Sequence, residues 1–288
     1  MATVLLVRHG RTSANAGGIL AGWTPGVGLD ESGVAQAAAL AGRMAVVPLA
    51  AVVSSPLQRC RETADALIAV PGPKGVPRPA VEVDDRLGEC RYGSWTGRPI
   101  KELVKDPLWR VVQAHPSAVT FPGEAGESML TMQHRAVEAV REHDARVTAA
   151  HGADAVWVAV SHGDVIKAVL ADALGMHLDS FQRLIVDPCS VSVIRYTSLR
   201  PFAVRINDTG GELTGLVPAR PVRRSARPRP AATGHRSRGG LDPSDAVIGG
   251  GDTPSAQLSR PDAGPVANGG PARAGDVRVR RATATATP

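Results

Sequence analysis

The chain is short of the features that mark secreted or membrane proteins. Its three cysteines, Cys60, Cys90 and Cys189, are too few and too odd in number for a disulfide framework. No stretch approaches the roughly 18 consecutive apolar residues of a membrane helix, so no membrane partner is expected. Met1-Ala2-Thr3 runs straight into a strand-like segment, without the charged and apolar regions of a secretory signal. These shortages lead to the expectation of a soluble, reduced, cytoplasmic protein. Aromatic residues are scarce at 3 %, and all four tryptophans, both tyrosines and all three phenylalanines precede Gly215.

The last quarter of the chain lacks more still. From Val217 to Pro288 there is no aromatic residue, no lysine and no glutamate, and Ala, Pro, Gly, Arg, Ser and Thr dominate. Such a segment cannot bury enough apolar surface to offset its ordering entropy, so it reads as disordered. The expected organisation is one catalytic domain over 1–215 and a tail over 216–288. The tail's 12 arginines and five aspartates carry +7 against +6 for the whole chain, which leaves the preceding residues near −1. Basicity therefore belongs to the tail. Salt-sensitive attraction to nucleic acid or an acidic partner is one reading of it; a solvated spacer is favoured, because no aromatics are interleaved for base stacking.

What is present lies in the first 210 residues. Strand and helix signals alternate: strand 3–8, a helix from an Asp30 N-cap to about Val46, strand 50–54 and a helix from Pro56 to Val70. A short extended piece at 81–83 follows, then helices near 99–113 and 128–150. Strand 155–160, helix 163–175 and strands near 189–196 and 202–206 complete the order. This βαβα order predicts a three-layer α/β fold with a mostly parallel sheet between helices, the last two strands forming a hairpin.

Two of these strands end on histidine, in Arg8-His9-Gly10 and Ser161-His162-Gly163. Carboxyl ends of sheet strands are where α/β proteins gather catalytic groups. The run Arg8 to Asn15 packs guanidinium, imidazole, hydroxyl and amide groups into one loop, a donor-rich lining suited to phosphate oxygens. A metal site built on His9, His162 and a carboxylate competes with this. Arg8, adjoining a would-be ligand, would repel a divalent cation, so the anion reading is preferred and no metal or other cofactor is expected.

Five blocks in order resemble the histidine phosphatases, the superfamily that includes the phosphoglycerate mutases. They are Leu6 to Asn15, Leu20-Ala21-Gly22-Trp23 with Leu29 to Ala37, Ser54 to Ala64, Leu87 to Gly97, and Val160 to Gly163. The resemblance implies a phosphoglycerate mutase-like fold over about 1–208. It also implies that His9 is the nucleophile and becomes phosphohistidine, and that Glu89 donates the proton. Arg8, Arg59 and His162 would clamp the phosphoryl group, with Asn15, Gly22 and Gly163 beside it. The substrate would be a small phosphate ester. RHGRTSAN is closer to the phosphatase branch than to the mutase pattern RHGESxWN, and 95–127 lacks the paired arginines sought in mutases. A phosphomutase remains the alternative, and a scaffold working through the basic tail is the reading of another class. Arg61, and Asp84 or Asp85, are the competing choices for Arg59 and Glu89. The rim is expected from 21–23, 95–127 and Glu127, while His115, His134, His143, His151 and His177 are expected to be surface or packing residues and Cys90 a buried hydrophobe.

Overall fold

A computed structural model describes residues 1–210; the tail, and the boundary placed at 215/216, lie outside the described residues. Six strands form one sheet: β1 (Thr3–Arg8), β2 (Leu49–Ser54), β3 (Val81–Val83), β4 (Val156–Ser161), β5 (Val191–Arg195) and β6 (Phe202–Asp208). Their order across the sheet is β3-β2-β4-β1-β5-β6. The first four are mutually parallel, whereas β5 runs antiparallel to β1 and β6 antiparallel to β5, closing the expected hairpin.

The period-two alternation of a strand sorts side chains onto two faces. Val4 and Leu6 of β1 join one core with Trp157 and Ala159 of β4, whereas Leu5 and Val7 join a second core with Val158 and Val160. The first core is closed by α6 (Met129–His151) and α7 (Gly163–Ala173), the second by α2 (Glu31–Met44) and α3 (Gln58–Ala69). Helix α2 shows why: Asp30 caps its Gly33 amide, and Ala37, Leu40, Ala41 and Met44 recur at helical spacing on its buried face.

Three expectations need correction. The helix expected over 99–113 is two, α4 (Ile100–Leu103) and α5 (Pro107–Ala114). Pro107 has no N–H and disfavours a helical residue before it, so the chain restarts with Asp106 capping the Leu108 amide. Pro56 does not open α3, which begins at Gln58; the Ser55-Pro56 step is a turn in which Ser55 Oγ accepts from the Leu57 amide. A short helix, α1 (Ser13–Ala16), stands where an uninterrupted loop was expected, closed by a reciprocal Thr12–Asn15 capping box. Cys189 adopts a left-handed φ of 55°, and β5 starts only at Val191.

Candidate active site

The parallel register brings the two histidines together. Arg8 pairs with Ser161 at the ends of β1 and β4, and the His9 amide extends the ladder by donating to the Ser161 carbonyl at 3.0 Å. On the other side of β4 the Ser55 amide donates to the Val160 carbonyl at 2.9 Å, carrying the end of β2 to the same edge. The rings of His9 and His162 meet edge to face with centroids 5.2 Å apart. Arg59, in the first turn of α3, joins them: its Nε donates to His9 Nε2 at 3.3 Å and its Nη2 to His162 Nδ1 at 3.2 Å and the Gly22 carbonyl at 2.9 Å. Glu89 Oε2 stands 3.9 Å from His162 Nδ1. Arg8, His9, Arg59, Glu89 and His162 are all buried.

Hydrogen-bond chemistry assigns the tautomers. His9 Nδ1 lies 2.7 Å from the Gly10 carbonyl, which can only accept, so the proton sits on Nδ1 and Nε2 keeps its lone pair. His162 Nδ1 accepts from Arg59, so its Nε2–H points to Ser55 Oγ at 2.8 Å. Burial, then the Arg59 and Arg8 charges, push His9 well below the usual histidine range, which keeps it neutral. Burial, Arg59 and neighbouring cationic groups do the same to His162.

Glu89 moves the opposite way. Burial, reinforced by the charge of Asp164 in the first turn of α7, lifts its carboxyl to about 7 against the pull of Arg59, the Cys90 amide and Arg8. Asp164 is itself held by the Tyr92 hydroxyl, which donates to its Oδ2 at 2.8 Å. Asp84 and Asp85, the alternatives to Glu89, lie apart from the two histidines. Asp84, despite burial that would raise it, is held near 2 by hydrogen bonds from Arg86 and His143, and Asp85 begins a short turn outside the cluster. Arg61 is exposed, so Arg59 is the arginine that α3 turns inward.

The guanidinium groups are only partly used. Arg8 Nη1 donates to the Val186 carbonyl at 2.6 Å, but buried Arg8 Nε and Nη2 and Arg59 Nη1 have no hydrogen-bond acceptor. Orphaned buried donors of this kind carry a free-energy cost unless an anion meets them. Gly22 takes a left-handed φ of 49°, and a Cβ there would come 3.0 Å from Tyr92 Cδ2, so glycine keeps its carbonyl against Arg59. Gly163 opens α7 beside Arg8. Asn15 is buried with its Oδ1 accepting from the Thr12 amide and hydroxyl, so only its amide nitrogen end can donate to an anion.

Some functional neighbours carried no individual signal in the sequence. Ser55 orients His162, and Thr63 Oγ1 accepts from the Gly10 amide at 3.1 Å, pinning the loop after β1. Arg135 of α6 donates to the carbonyls of Arg86, Gly88 and Glu89 and thereby holds the segment that carries Glu89. Its partner Glu127 was expected on the rim; instead it is spent on Arg135 at 2.6 Å and on the Arg91 amide. His143 is a packing residue as expected, buried and bonded to Asp84, and Cys90 is fully buried in the core. Among the described residues no group of three or more His, Cys, Asp or Glu could hold a metal ion, and no helix is long and apolar enough to cross a membrane.

A mostly parallel sheet whose β1 and β4 present two histidines to one arginine-lined edge defines an α/β protein with a buried, cationic cluster at the carboxyl ends of its strands. The chain belongs to the histidine phosphatase superfamily (branch 1), whose family model matches residues 4–209. A bifunctional protein of Mycobacterium tuberculosis is 34% identical over 210 residues, covering 72% of this chain; the chain spans only 54% of that relative's length. Phosphoserine phosphatase 1 of Hydrogenobacter thermophilus is 30% identical over 215 residues, 73% of this chain and 93% of the relative. A solved mycobacterial glucosyl-3-phosphoglycerate phosphatase, complexed with VO3, superposes with a TM-score of 0.61 at 26% identity, covering 72% of this chain and 99% of the other. Relatives named as phosphoglycerate mutases also match.

Proposed function

We propose that the protein hydrolyses small phosphomonoesters through a phosphohistidine on His9. The observation that carries this reading is the neutral His9 with its Nε2 lone pair turned toward Arg59, in a buried site where three guanidinium N–H groups lack acceptors. The phosphoryl oxygens of an ester supply those acceptors. Guanidinium forks suit them, because a loose phosphoryl-transfer transition state spreads charge over its equatorial oxygens. His9 Nε2 attacks phosphorus as the ester P–O bond breaks, and Glu89, held protonated near neutrality, gives its proton to the departing alkoxide. The resulting Glu89 carboxylate then takes a proton from water as that water displaces the phosphoryl group from His9, releasing inorganic phosphate. His162, with Ser55 accepting from Nε2–H, is positioned to donate from Nδ1 once a phosphate dianion makes its second protonation favourable. Asn15, Gly22 and Gly163 complete the cradle.

Hydrolysis is favoured over mutase action because the 95–127 segment offers no paired arginines for a second phosphoglycerate subsite: Arg98 lies on the surface 3.9 Å from Glu102, and Arg110 is exposed. A His9→Ala variant should remain folded and lose turnover of every phosphomonoester in a panel, assayed with and without 2,3-bisphosphoglycerate. Labelled substrate should leave acid-labile, base-stable label on His9 of the unaltered enzyme. Turnover surviving in the folded variant would refute the covalent role, and activity that requires 2,3-bisphosphoglycerate would restore the mutase.

A further inference from the structure

Arg8 is gripped by a short segment that supplies none of the reacting groups. Asp187-Pro188-Cys189-Ser190 form a turn, closed by the Ser190 amide donating to the Asp187 carbonyl at 3.0 Å. Cys189 takes a left-handed φ of 55° there, strained for a side chain other than Gly, Asn or Asp. The turn lays its backbone against the end of β1. The Cys189 amide donates to the Arg8 carbonyl at 3.0 Å and to the His9 carbonyl at 3.3 Å, and the Ser190 carbonyl accepts from the Arg8 amide at 3.3 Å. Just before the turn, the Val186 carbonyl accepts from Arg8 Nη1 at 2.6 Å. One segment therefore sets both the backbone and the guanidinium of Arg8.

That segment is anchored from the far edge of the sheet. The carbonyl of Val186 and the amide of Asp187 belong to one planar peptide group. Its amide donates to Asn207 Oδ1 at 2.6 Å, and Asn207 Nδ2 donates back to Asp187 Oδ2 at 2.8 Å. The Asn207 side chain thus fixes the tilt of the peptide whose other end holds the guanidinium. Asn207 reaches it because β6 bulges. Between the pairs Val191–Asp208 and Val193–Arg205, Ser192 alone faces both Ile206 and Asn207. Ser192 Oγ accepts from the Asn207 amide at 3.1 Å. Asn207 takes a left-handed φ of 56° in the bulge, which asparagine tolerates better than most residues. Bulges of this kind re-aim a side chain.

We infer that Asn207 is a positioning residue for Arg8, acting through the Val186–Asp187 peptide to aim the guanidinium at the phosphoryl oxygens. This rests on the hydrolase reading above for what Arg8 binds. Asn207 touches neither the substrate nor the reacting atoms, and it stands on an edge strand that supplies no other group to the site. Without its two bonds the peptide can rotate, and the Val186 carbonyl no longer offers Arg8 Nη1 a fixed acceptor. The two N–H groups that Arg8 keeps for an anion, on Nε and Nη2, then lose their aim.

The test is Asn207→Gly, which accepts the left-handed φ without strain and removes both bonds to Asp187. Its kcat/KM for 4-nitrophenyl phosphate should fall about 10- to 100-fold, the cost of displacing a positioning group by about 1 Å. The Kd of inorganic phosphate, read by calorimetric titration, should rise about tenfold, as expected for a weakened hydrogen bond to a charged group. The exchange Asp187→Asn/Asn207→Asp rebuilds both bonds with the side-chain donor and acceptor reversed, and should recover most of each loss. Where Asn207→Gly does not fold, Asn207→Asp alone takes its place, since two carboxylates then oppose each other; the same losses and the same rescue are expected. Unchanged kcat/KM and phosphate affinity overturn the proposal. So does a loss that the exchange leaves in place, which belongs to general packing. If the unaltered enzyme hydrolyses no ester, the hydrolase reading fails by itself, and the phosphate titrations alone decide the positioning. Weaker binding restored by the exchange supports it; equal affinities, or no phosphate binding by the unaltered chain, refute it.

Discussion

Replacing Glu89 with Gln separates the chemistry of the site from its architecture, since the amide keeps the shape and can still accept from the Cys90 amide as Oε1 now does at 3.0 Å. Burial and Asp164 lift this carboxyl from an ordinary 4.5 to about 7. Near pH 7 about half the enzyme therefore carries the proton needed by a leaving alkoxide. Losing that donor should cost about 10²- to 10⁴-fold in kcat/KM for an alkyl ester such as glycerol 3-phosphate. An aryl ester such as 4-nitrophenyl phosphate, whose leaving group needs little protonation, should lose about tenfold or less. The same lift has a stability consequence of fixed sign. A raised carboxyl favours the protonated fold, so its penalty is absent below about pH 4.5, grows as pH rises and is complete above about 7, where it amounts to about 3 kcal/mol at most. Glu89→Gln should then raise Tm at pH 8 and leave it nearly unchanged at pH 4.5. The assays are pH–rate profiles for both esters and thermal melts at both pH values. Equal slowing of the two esters, survival of the basic limb near pH 7, or no gain in Tm at pH 8 would show that Glu89 is not the poised acid.

Arg135→Met should act on the same acid from a distance, because it strips three carbonyls of their donor and removes the partner of the half-buried Glu127 carboxylate. Loss of about 1–3 kcal/mol in urea unfolding is expected from the unmade hydrogen bonds, together with a lower kcat; a stable, fully active variant would show that the segment is held by other contacts. Tyr92→Phe removes the hydroxyl that donates to Asp164 and should move the basic limb of the pH–rate profile while leaving the fold in place, and an unmoved limb would disconnect Asp164 from Glu89. Truncation after Gly215 removes no residue of the site and should keep kcat within a few-fold; a collapse of activity would assign the tail a place on the domain.

The sequence by itself carried the architecture and the family, and pointed to the sheet edge where the candidate site lies. Alternating strands and helices, each with an apolar period matched to its type, were enough for a mostly parallel sheet, and His9 and His162 at strand ends were expected at one edge, where the structure brings their rings together. Punctuation was harder to read. Pro56 has the same local signature whether it opens a helix or makes a turn, and the structure makes it a turn in which Ser55 is bonded to His162 and to the Leu57 amide. Pro107 lies within a run of helical pattern, yet its missing N–H divides the helix in two.

Tertiary structure decided what depends on distant partners. No local pattern distinguishes Glu127 at a rim from Glu127 clamped by Arg135, or Asp84 held near 2 from Glu89 lifted to about 7, because each state is set by charges and burial supplied by other elements. The tautomer of His9 follows from the position of the Gly10 carbonyl, and its neutrality from burial between two arginines brought by β1 and α3. Residue type determines which chemistry is available; which proton is held, and where, is determined by the field and the desolvation that folding creates.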